Sequence, residues 1–164
     1  MKYLILLFLV TFVGCVTKEK PEIAPEKETI LEPLDWGSFD STSVQLMNLI
    51  NFERVRQGLS LLVFSTPLVC AADAHANDIG PKKICSHVGS DGSSFISRIK
   101  RCGVTYYSRA GEIIACGQKT PADAVRAWMN SSGHRNIILT RGYNNLGCGY
   151  YGATKYWVCV FTQL

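Results

Sequence analysis

Several features that mark common protein classes are missing from this chain of 164 residues. No two of its seven cysteines form a CxxC pair, which argues against zinc-ribbon chemistry, and no internal repeat is present. The thirteen lysines and arginines from Arg54 to Lys155 are scattered rather than clustered, so we expect no nucleic-acid partner. Histidine and glutamate are scarce as well, with three histidines in all and only two glutamates from Glu53 onward. A site that uses these two residue types must therefore draw on very few side chains.

The first 14 residues are similar to a bacterial lipoprotein signal peptide. Lys2 precedes an apolar run, Tyr3 to Val13, which is about half the roughly 20 residues that a membrane-spanning helix needs. A small residue and then Cys15 follow, as in a lipobox, although Phe12 stands where leucine is usual. An ordinary secretory signal with an incidental cysteine is the alternative. We expect an exported protein whose acylated Cys15 anchors it to a membrane, at the cell surface or in the periplasm.

Residues 15–40 predict the acylated cysteine and an acidic, proline-rich tether. Three prolines alternate with charged residues and few side chains could be buried, so this segment should stay extended in solvent. Residues 41–164 predict one domain, large enough for a hydrophobic core. That domain has thirteen basic and six acidic side chains, a net charge of +7, which favours anionic surfaces as partners.

Six cysteines remain after Cys15, an even number in a chain with an export signal, so we expect three disulfides. One pairing has a local reason. If residues 152–155 form a tight turn, Cys148 lies opposite Cys159 on paired strands, close enough to form a bridge. For the other four cysteines the prediction is less constrained, and we expect Cys85–Cys102 and Cys70–Cys116.

Capping residues and apolar periodicity predict four helices: from near Thr42 to Gly58, from Thr66 to Gly80-Pro81, from Asp91 to Gly103, and from Thr120 to about Asn130. Three strands are predicted at 112–116, 146–151 and 155–161. Residues 156–161 are apolar at every position, which is typical of a strand covered on both faces. The pattern therefore predicts an α+β fold, a three-layer α-β-α sandwich around a small, mostly antiparallel sheet.

An ordered series of short motifs runs through this domain: NFER at 51–54, SHVGSDG at 86–92, AGE at 110–112, AWMNSSGHRNI at 127–137 and LGCG at 146–149. The series resembles the bacterial branch of the CAP superfamily, named for cysteine-rich secretory proteins, antigen 5 and pathogenesis-related proteins. The resemblance extends from Val44 to Thr162. It implies the same α-β-α sandwich that the apolar pattern predicts.

The resemblance also implies a polar cleft. Members of the superfamily hold two histidines and two acidic residues there, and His87, Glu112 and His134 match three of these four. Ile113 replaces the asparagine that usually follows the glutamate, and Ser131 stands where relatives have the second acidic residue, as a weak substitute in the ligand cleft. Two imidazoles and a carboxylate can hold zinc or another divalent cation with one position open. Alternatively, the glutamate simply forms hydrogen bonds with the histidines.

Two functions follow from this site. We favour a protein without enzymatic activity that binds a small ligand in the cleft: a lipid or sterol, a glycan, a peptide or a divalent metal. The alternative is a metal-assisted hydrolase, a peptidase in which His87 and His134 hold the ion and Glu112 is the catalytic base. The third histidine, His75, lies in the apolar stripe of the second helix, so we expect it to be buried and hydrogen-bonded.

Overall fold

A computed structural model of the chain describes residues 41–164, which form five helices and four strands. The helices are α1 Ser41–Arg56, α2 Thr66–Lys82, α3 Phe95–Arg101, α4 Pro121–Asn130 and α5 Ser132–Ile138. The strands are β1 Val63–Phe64, β2 Arg109–Cys116, β3 Asn145–Tyr151 and β4 Tyr156–Gln163. Along residues 41–164, no helix combines the length and the apolar character that crossing a membrane requires. The predicted signal peptide, Cys15 and the tether lie outside the described residues.

The four strands form one sheet in the order β1-β3-β4-β2. Strand β1 pairs with β3 in parallel, and the other two pairings are antiparallel, so the predicted mostly antiparallel sheet is confirmed. Strand β1 itself was not predicted, because two residues are too few to give an alternating pattern.

Strand β4 lies between two hydrophobic cores, which confirms the three-layer sandwich. Its side chains alternate: Trp157, Cys159 and Phe161 enter the core that contains residues of α1, α4 and α5. Tyr156, Val158 and Val160 enter the other core, which contains residues of α2 and α3. The continuous apolar run therefore reflects helical layers on both faces of the sheet.

The packing of α2 on the sheet depends on two glycines in β3. A Cβ added at Gly147 would lie 2.2 Å from the backbone nitrogen of Val69, and one added at Gly149 would lie 2.3 Å from that of Asp73. Both distances are too short for any side chain, and both involve helix backbone that cannot give way. The LGCG motif thus brings the α2 backbone directly onto β3.

Two helix starts differ from the prediction. Helix α3 begins at Phe95 and not at Asp91, because Ser94 is the residue whose side chain accepts the Ser97 amide as an N-cap. Asp91 instead accepts the amide of Ser93 within the loop that precedes the helix. Helix α5 was not predicted at all. It follows α4 after Ser131, which ends one helix and begins the next without a side-chain cap hydrogen bond.

The three disulfides agree with the prediction in number and in one pairing. Cys148–Cys159 is confirmed, and the two residues are direct partners in the β3–β4 register. The pairings Cys85–Cys102 and Cys70–Cys116 are wrong, since the bridges are Cys70–Cys102 and Cys85–Cys116. The reason is the packing of α3 along α2, which brings the end of α3 beside the first turns of α2. The segment after α2 instead meets the end of β2.

Candidate functional site

Glu112 is the buried centre of the site. It lies on β2, where Ile113 belongs to one core and Ile114 to the other, so Glu112 shares the α2–α3 side with Ile114. Its side chain is only 1% exposed. Both carboxylate oxygens have partners: Oε1 lies 2.8 Å from His87 Nδ1, and Oε2 lies 2.8 Å from Arg98 Nη2. A buried carboxylate requires such pairing to remain ionised.

His87 is the solvent-exposed member of its pair with Glu112. It lies in the loop between α2 and α3, and 55% of its side chain is exposed. An ionised carboxylate can only accept hydrogen bonds, so the Nδ1 of His87 donates to Glu112. In the neutral imidazole, Nε2 then has the lone pair and can accept a hydrogen bond.

Arg98 is a residue of this candidate site that the sequence analysis missed. Its side chain is 5% exposed, and besides Glu112 it donates to the carbonyl of His87 at 3.0 Å and to that of Ser93 at 2.8 Å. The sequence feature that could have identified Arg98 is its position three residues after Phe95 in the third helix, because that spacing places both residues on the same, inward face. A cation there needs a buried carboxylate partner, and Glu112 is one of only two glutamates in residues 41–164.

His134 is the third predicted ligand of the site. It lies in the first turn of α5 and is half-buried. Burial lowers the pKa of His134, and the proximity of His87 lowers it further, so the ring is neutral near pH 7. The structure therefore brings His87 and Glu112 into contact and places His134 within electrostatic range of His87. Ser131 contributes backbone contacts, accepting the Arg135 amide, and its side chain makes no cap hydrogen bond.

The loop that bears His87 is held at several points. His75, fully buried on α2, pairs its Nε2 with the carbonyl of Ser86 at 2.8 Å, which confirms the predicted buried, hydrogen-bonded histidine. Desolvation by burial lowers the pKa of His75, so the neutral ring donates this bond. The Cys85–Cys116 disulfide fastens the same loop to β2, two residues before His87 and four residues after Glu112. Further along, the Asp78 carboxylate accepts the amide of Ser90 at 2.7 Å.

The three predicted ligands do not fit a metal ion in this arrangement. Across residues 41–164, no group of three or more histidine, cysteine, aspartate or glutamate side chains is placed to hold one. Each oxygen of Glu112 already accepts a hydrogen bond, and the Nδ1 of His87 faces Glu112, so Nε2 is the nitrogen of that ring left to coordinate. Zinc or another divalent cation as a cofactor stays a prediction, and so does the catalytic role of Glu112.

The family to which the chain belongs is shown by a match to the sequence model of a known protein family. The CAP model, described as the cysteine-rich secretory protein family, matches residues 47–161, which include every residue of this site. The chain belongs to this family. Membership agrees with the motif series and with the α-β-α sandwich described above.

Relatives of this CAP domain come from several bacteria. The protein YkwD of Bacillus subtilis (strain 168) is 38% identical over 125 residues, which is 76% of this chain and 48% of YkwD. An extracellular protein containing an SCP domain, from Bacillus anthracis str. Ames, is 28% identical with a TM-score of 0.71, over 75% of this chain and 40% of that one. An outer surface protein of Borrelia burgdorferi has a TM-score of 0.66 at 21% identity, over 73% and 90% of the two chains, and shows the shared fold. The chain thus spans about half the length of YkwD.

Proposed function

We propose that this chain is an exported CAP-domain protein that binds a small neutral ligand in the cleft of His87, Glu112 and His134, without catalysing a reaction. The observation that supports this most strongly is the double engagement of Glu112. A carboxylate that is paired with both Arg98 and His87 is neither a free base nor an open metal ligand. His87 instead has 55% of its side chain exposed, and His134 lies within electrostatic range of it.

The chemistry around His87 defines the class of ligand. An imidazole lone pair accepts a hydrogen bond from a hydroxyl or an amide. Ile84 and Val88, on the same loop as His87, are exposed large hydrophobic side chains that could give a ligand apolar contact. Ligand sites commonly combine apolar lining with a few polar groups that fix orientation. A lipid or sterol, a glycan or a peptide that bears a hydroxyl or amide beside an apolar surface has these properties.

The proposed location is the outer face of a membrane. The name of the solved Bacillus anthracis relative describes an extracellular protein, which supports export of this chain as well. Acylation of Cys15 would then tether the domain through the acidic segment. Labelling cells with radioactive palmitate tests the anchor, and label that persists in a Cys15→Ser variant would contradict it.

Ligand binding is tested by titrating the 15N-labelled protein with three probes: cholesterol in detergent micelles, an N-acetylglucosamine oligomer and a short apolar peptide. We expect one of them to shift the His87 imidazole resonances, and His87→Ala to weaken its binding at least tenfold. Phe52→Ala is the matched control, because Phe52 is exposed on α1, in the opposite helical layer. If no probe binds and added Zn²⁺ instead gives peptide hydrolysis that is lost in His87→Ala, the hydrolase is the correct function.

A further inference from the structure

Of the three disulfides in residues 41–164, Cys85–Cys116 is the one that joins the loop bearing His87 to strand β2. We propose that this bridge is a redox-sensitive switch: an external dithiol opens it, and the released loop no longer holds His87 steadily against Glu112. The inference goes beyond the proposed function and rests on it only for one consequence, which is that opening the bridge weakens ligand binding.

The sulfur atoms of this bridge are accessible. Cys85 is exposed and Cys116 is half-buried, and Cys116 also lines a cavity of about 390 Å³. By contrast, Cys148 and Cys159 are both fully buried in a hydrophobic core. Exchange requires a thiolate to reach a sulfur atom. The Cys85–Cys116 bridge can therefore be attacked while the domain stays folded, whereas the Cys148–Cys159 bridge cannot.

Charge distinguishes this bridge from the Cys70–Cys102 bridge. The cavity that Cys116 lines has one charged residue, Lys83, and no ion pair within residues 41–164 involves that lysine. Cys102 lines a different cavity, whose charged residues are Asp78, Asp91, Arg98 and Arg101. The two positive charges there are already paired with carboxylates. An approaching thiolate, which is negatively charged, therefore meets a net positive charge only beside Cys116.

The reaction is thiol–disulfide exchange in two steps. A thiolate of the dithiol attacks Sγ of Cys85, the bond to Cys116 breaks, and its electron pair leaves on Cys116 Sγ, which takes up a proton. The second thiol of the reductant loses its proton, attacks the mixed disulfide and releases Cys85 as a thiolate, which is protonated in turn. The bridge thus gains two electrons and two protons, and the dithiol becomes a disulfide. An exported protein with two neighbouring thiols is the class of partner that supplies this reductant.

Opening the bridge removes the covalent link that lies two residues before His87 and four residues after Glu112. What then holds the loop near His87 is a set of hydrogen bonds, made by His75 to the Ser86 carbonyl, by Arg98 to the His87 carbonyl and by His87 to Glu112. Such bonds in a surface loop open locally at a small cost in free energy. The loop should therefore fluctuate while the two cores stay packed.

The first experiment measures which bridge is reduced in the folded protein. The full-length chain with Cys15→Ser, which keeps six cysteines, is incubated with dithiothreitol without denaturant. Free thiols are trapped with N-ethylmaleimide and mapped by peptide mass spectrometry. We expect Cys85 and Cys116 to be labelled about tenfold faster than Cys148 and Cys159, and faster than the Cys70–Cys102 pair, since exchange follows access and local charge. Labelling of all six cysteines at one rate, or of another pair first, would overturn the inference.

The second experiment measures whether the opening is local and reversible. Gly89 is buried, and its amide donates to the Ser93 carbonyl at 2.8 Å, so its hydrogen exchange reports on the loop. After partial reduction this amide should exchange about tenfold faster, and re-oxidation with oxidised glutathione should restore the original rate, while amides of β4 stay protected. Cys85→Ser/Cys116→Ser should show the faster rate with or without dithiothreitol. An unchanged rate at Gly89, or no recovery on re-oxidation, would count against the switch.

A third measurement tests the charge beside the bridge. Lys83 has a φ of 55°, a conformation that asparagine tolerates, so Lys83→Asn removes the charge without straining the backbone. In this variant Cys85 and Cys116 should be labelled about threefold more slowly. Arg141→Gln is the matched control, because it removes one exposed positive charge from the loop before β3 and should leave the rate unchanged. Equal rates in the two variants would refute the role of Lys83 and with it the preference for this bridge.

The outcomes separate the switch from the proposed function. If labelling and hydrogen exchange are as expected but none of the three ligand probes binds, the proposed function fails and the switch stands. If a probe binds through His87 with the same affinity before and after reduction, or if the bridge resists reduction in the folded protein, the switch fails and the proposed function stands.

Discussion

The Cys85–Cys116 disulfide should control both the stability of the domain and the order of its candidate site. The bridge joins residues 31 positions apart in the sequence. In the chain-entropy description, closing a loop of that length stabilises the folded state by about 4 kcal/mol. Replacing both cysteines by serine should therefore lower the free energy of unfolding by about that amount, as measured by urea denaturation.

The site should respond more specifically than the stability. Cys85 precedes His87 by two residues, and Cys116 follows Glu112 on the same strand, so the bridge links the two partners of the 2.8 Å hydrogen bond. We expect the Cys85→Ser/Cys116→Ser variant to show averaged 15N shifts for the His87 ring, in place of a single tautomer. The free loop can then sample positions in which Nδ1 does not reach Glu112.

The matched control is the Cys148→Ala/Cys159→Ala variant. Its bridge spans 11 positions, which corresponds to about 3 kcal/mol, so the loss of stability is similar. That bridge joins two strands that are already paired, far along the chain from the His87 loop. The reasoning is refuted if both double variants disturb the His87 resonances equally, or if removing Cys85–Cys116 changes the free energy of unfolding by less than about 1 kcal/mol.

Three further predictions concern the scaffold. Gly147→Ala should destabilise the domain by about 1–3 kcal/mol through overpacking against α2, whereas Gly133→Ala, whose Cβ meets no atom within 4 Å, should be neutral or stabilising in a thermal melt. Arg54→Met should lower the free energy of unfolding by about 3 kcal/mol, since the buried guanidinium of Arg54 donates to the carbonyls of Ile138 at 2.6 Å and Thr140 at 2.9 Å. Arg56 is exposed, so Arg56→Met should change the free energy of unfolding by less than about 0.5 kcal/mol in the same urea assay. His75→Gln should flatten the pH dependence of the free energy of unfolding. Burial lowers the pKa of His75 in the folded protein below 6.5, so the unfolded chain binds the proton at a higher pH than the folded protein does. The natural protein therefore loses stability as the pH falls below about 6.5. An unchanged slope in His75→Gln would show that another group is responsible.

The layered fold could be predicted because it depends on periodicity. The apolar run of β4 indicated cover on both faces, and Thr120, whose side chain accepts the Asp123 amide, marked the start of α4 correctly. The Cys148–Cys159 pairing followed from the hairpin alone. Each of these features is set by residues close together in sequence or by strict alternation along a strand.

The rest depended on how separate elements pack. The other two disulfides follow from the packing of α3 against α2, for which the sequence holds no local signal. Helix α5 has only seven residues and lacks a side-chain cap hydrogen bond, so the sequence contains neither a long periodic pattern nor a capping residue from which this helix could be predicted. The contact of His87 with Glu112 was expected from the family motifs, but the ion pair of Arg98 with Glu112 depends on how α3 packs beside β2 and could not be predicted.

The alternation of side chains along β4 has a consequence for resistance to proteases. This one strand supplies Trp157 and Phe161 to one core and Val158 and Val160 to the other. Detaching either helical layer would expose one apolar face of this central strand to water, so we expect the two layers to come apart together. The domain should lose its structure in an all-or-none manner, and a protease would meet almost no partly opened form to cut.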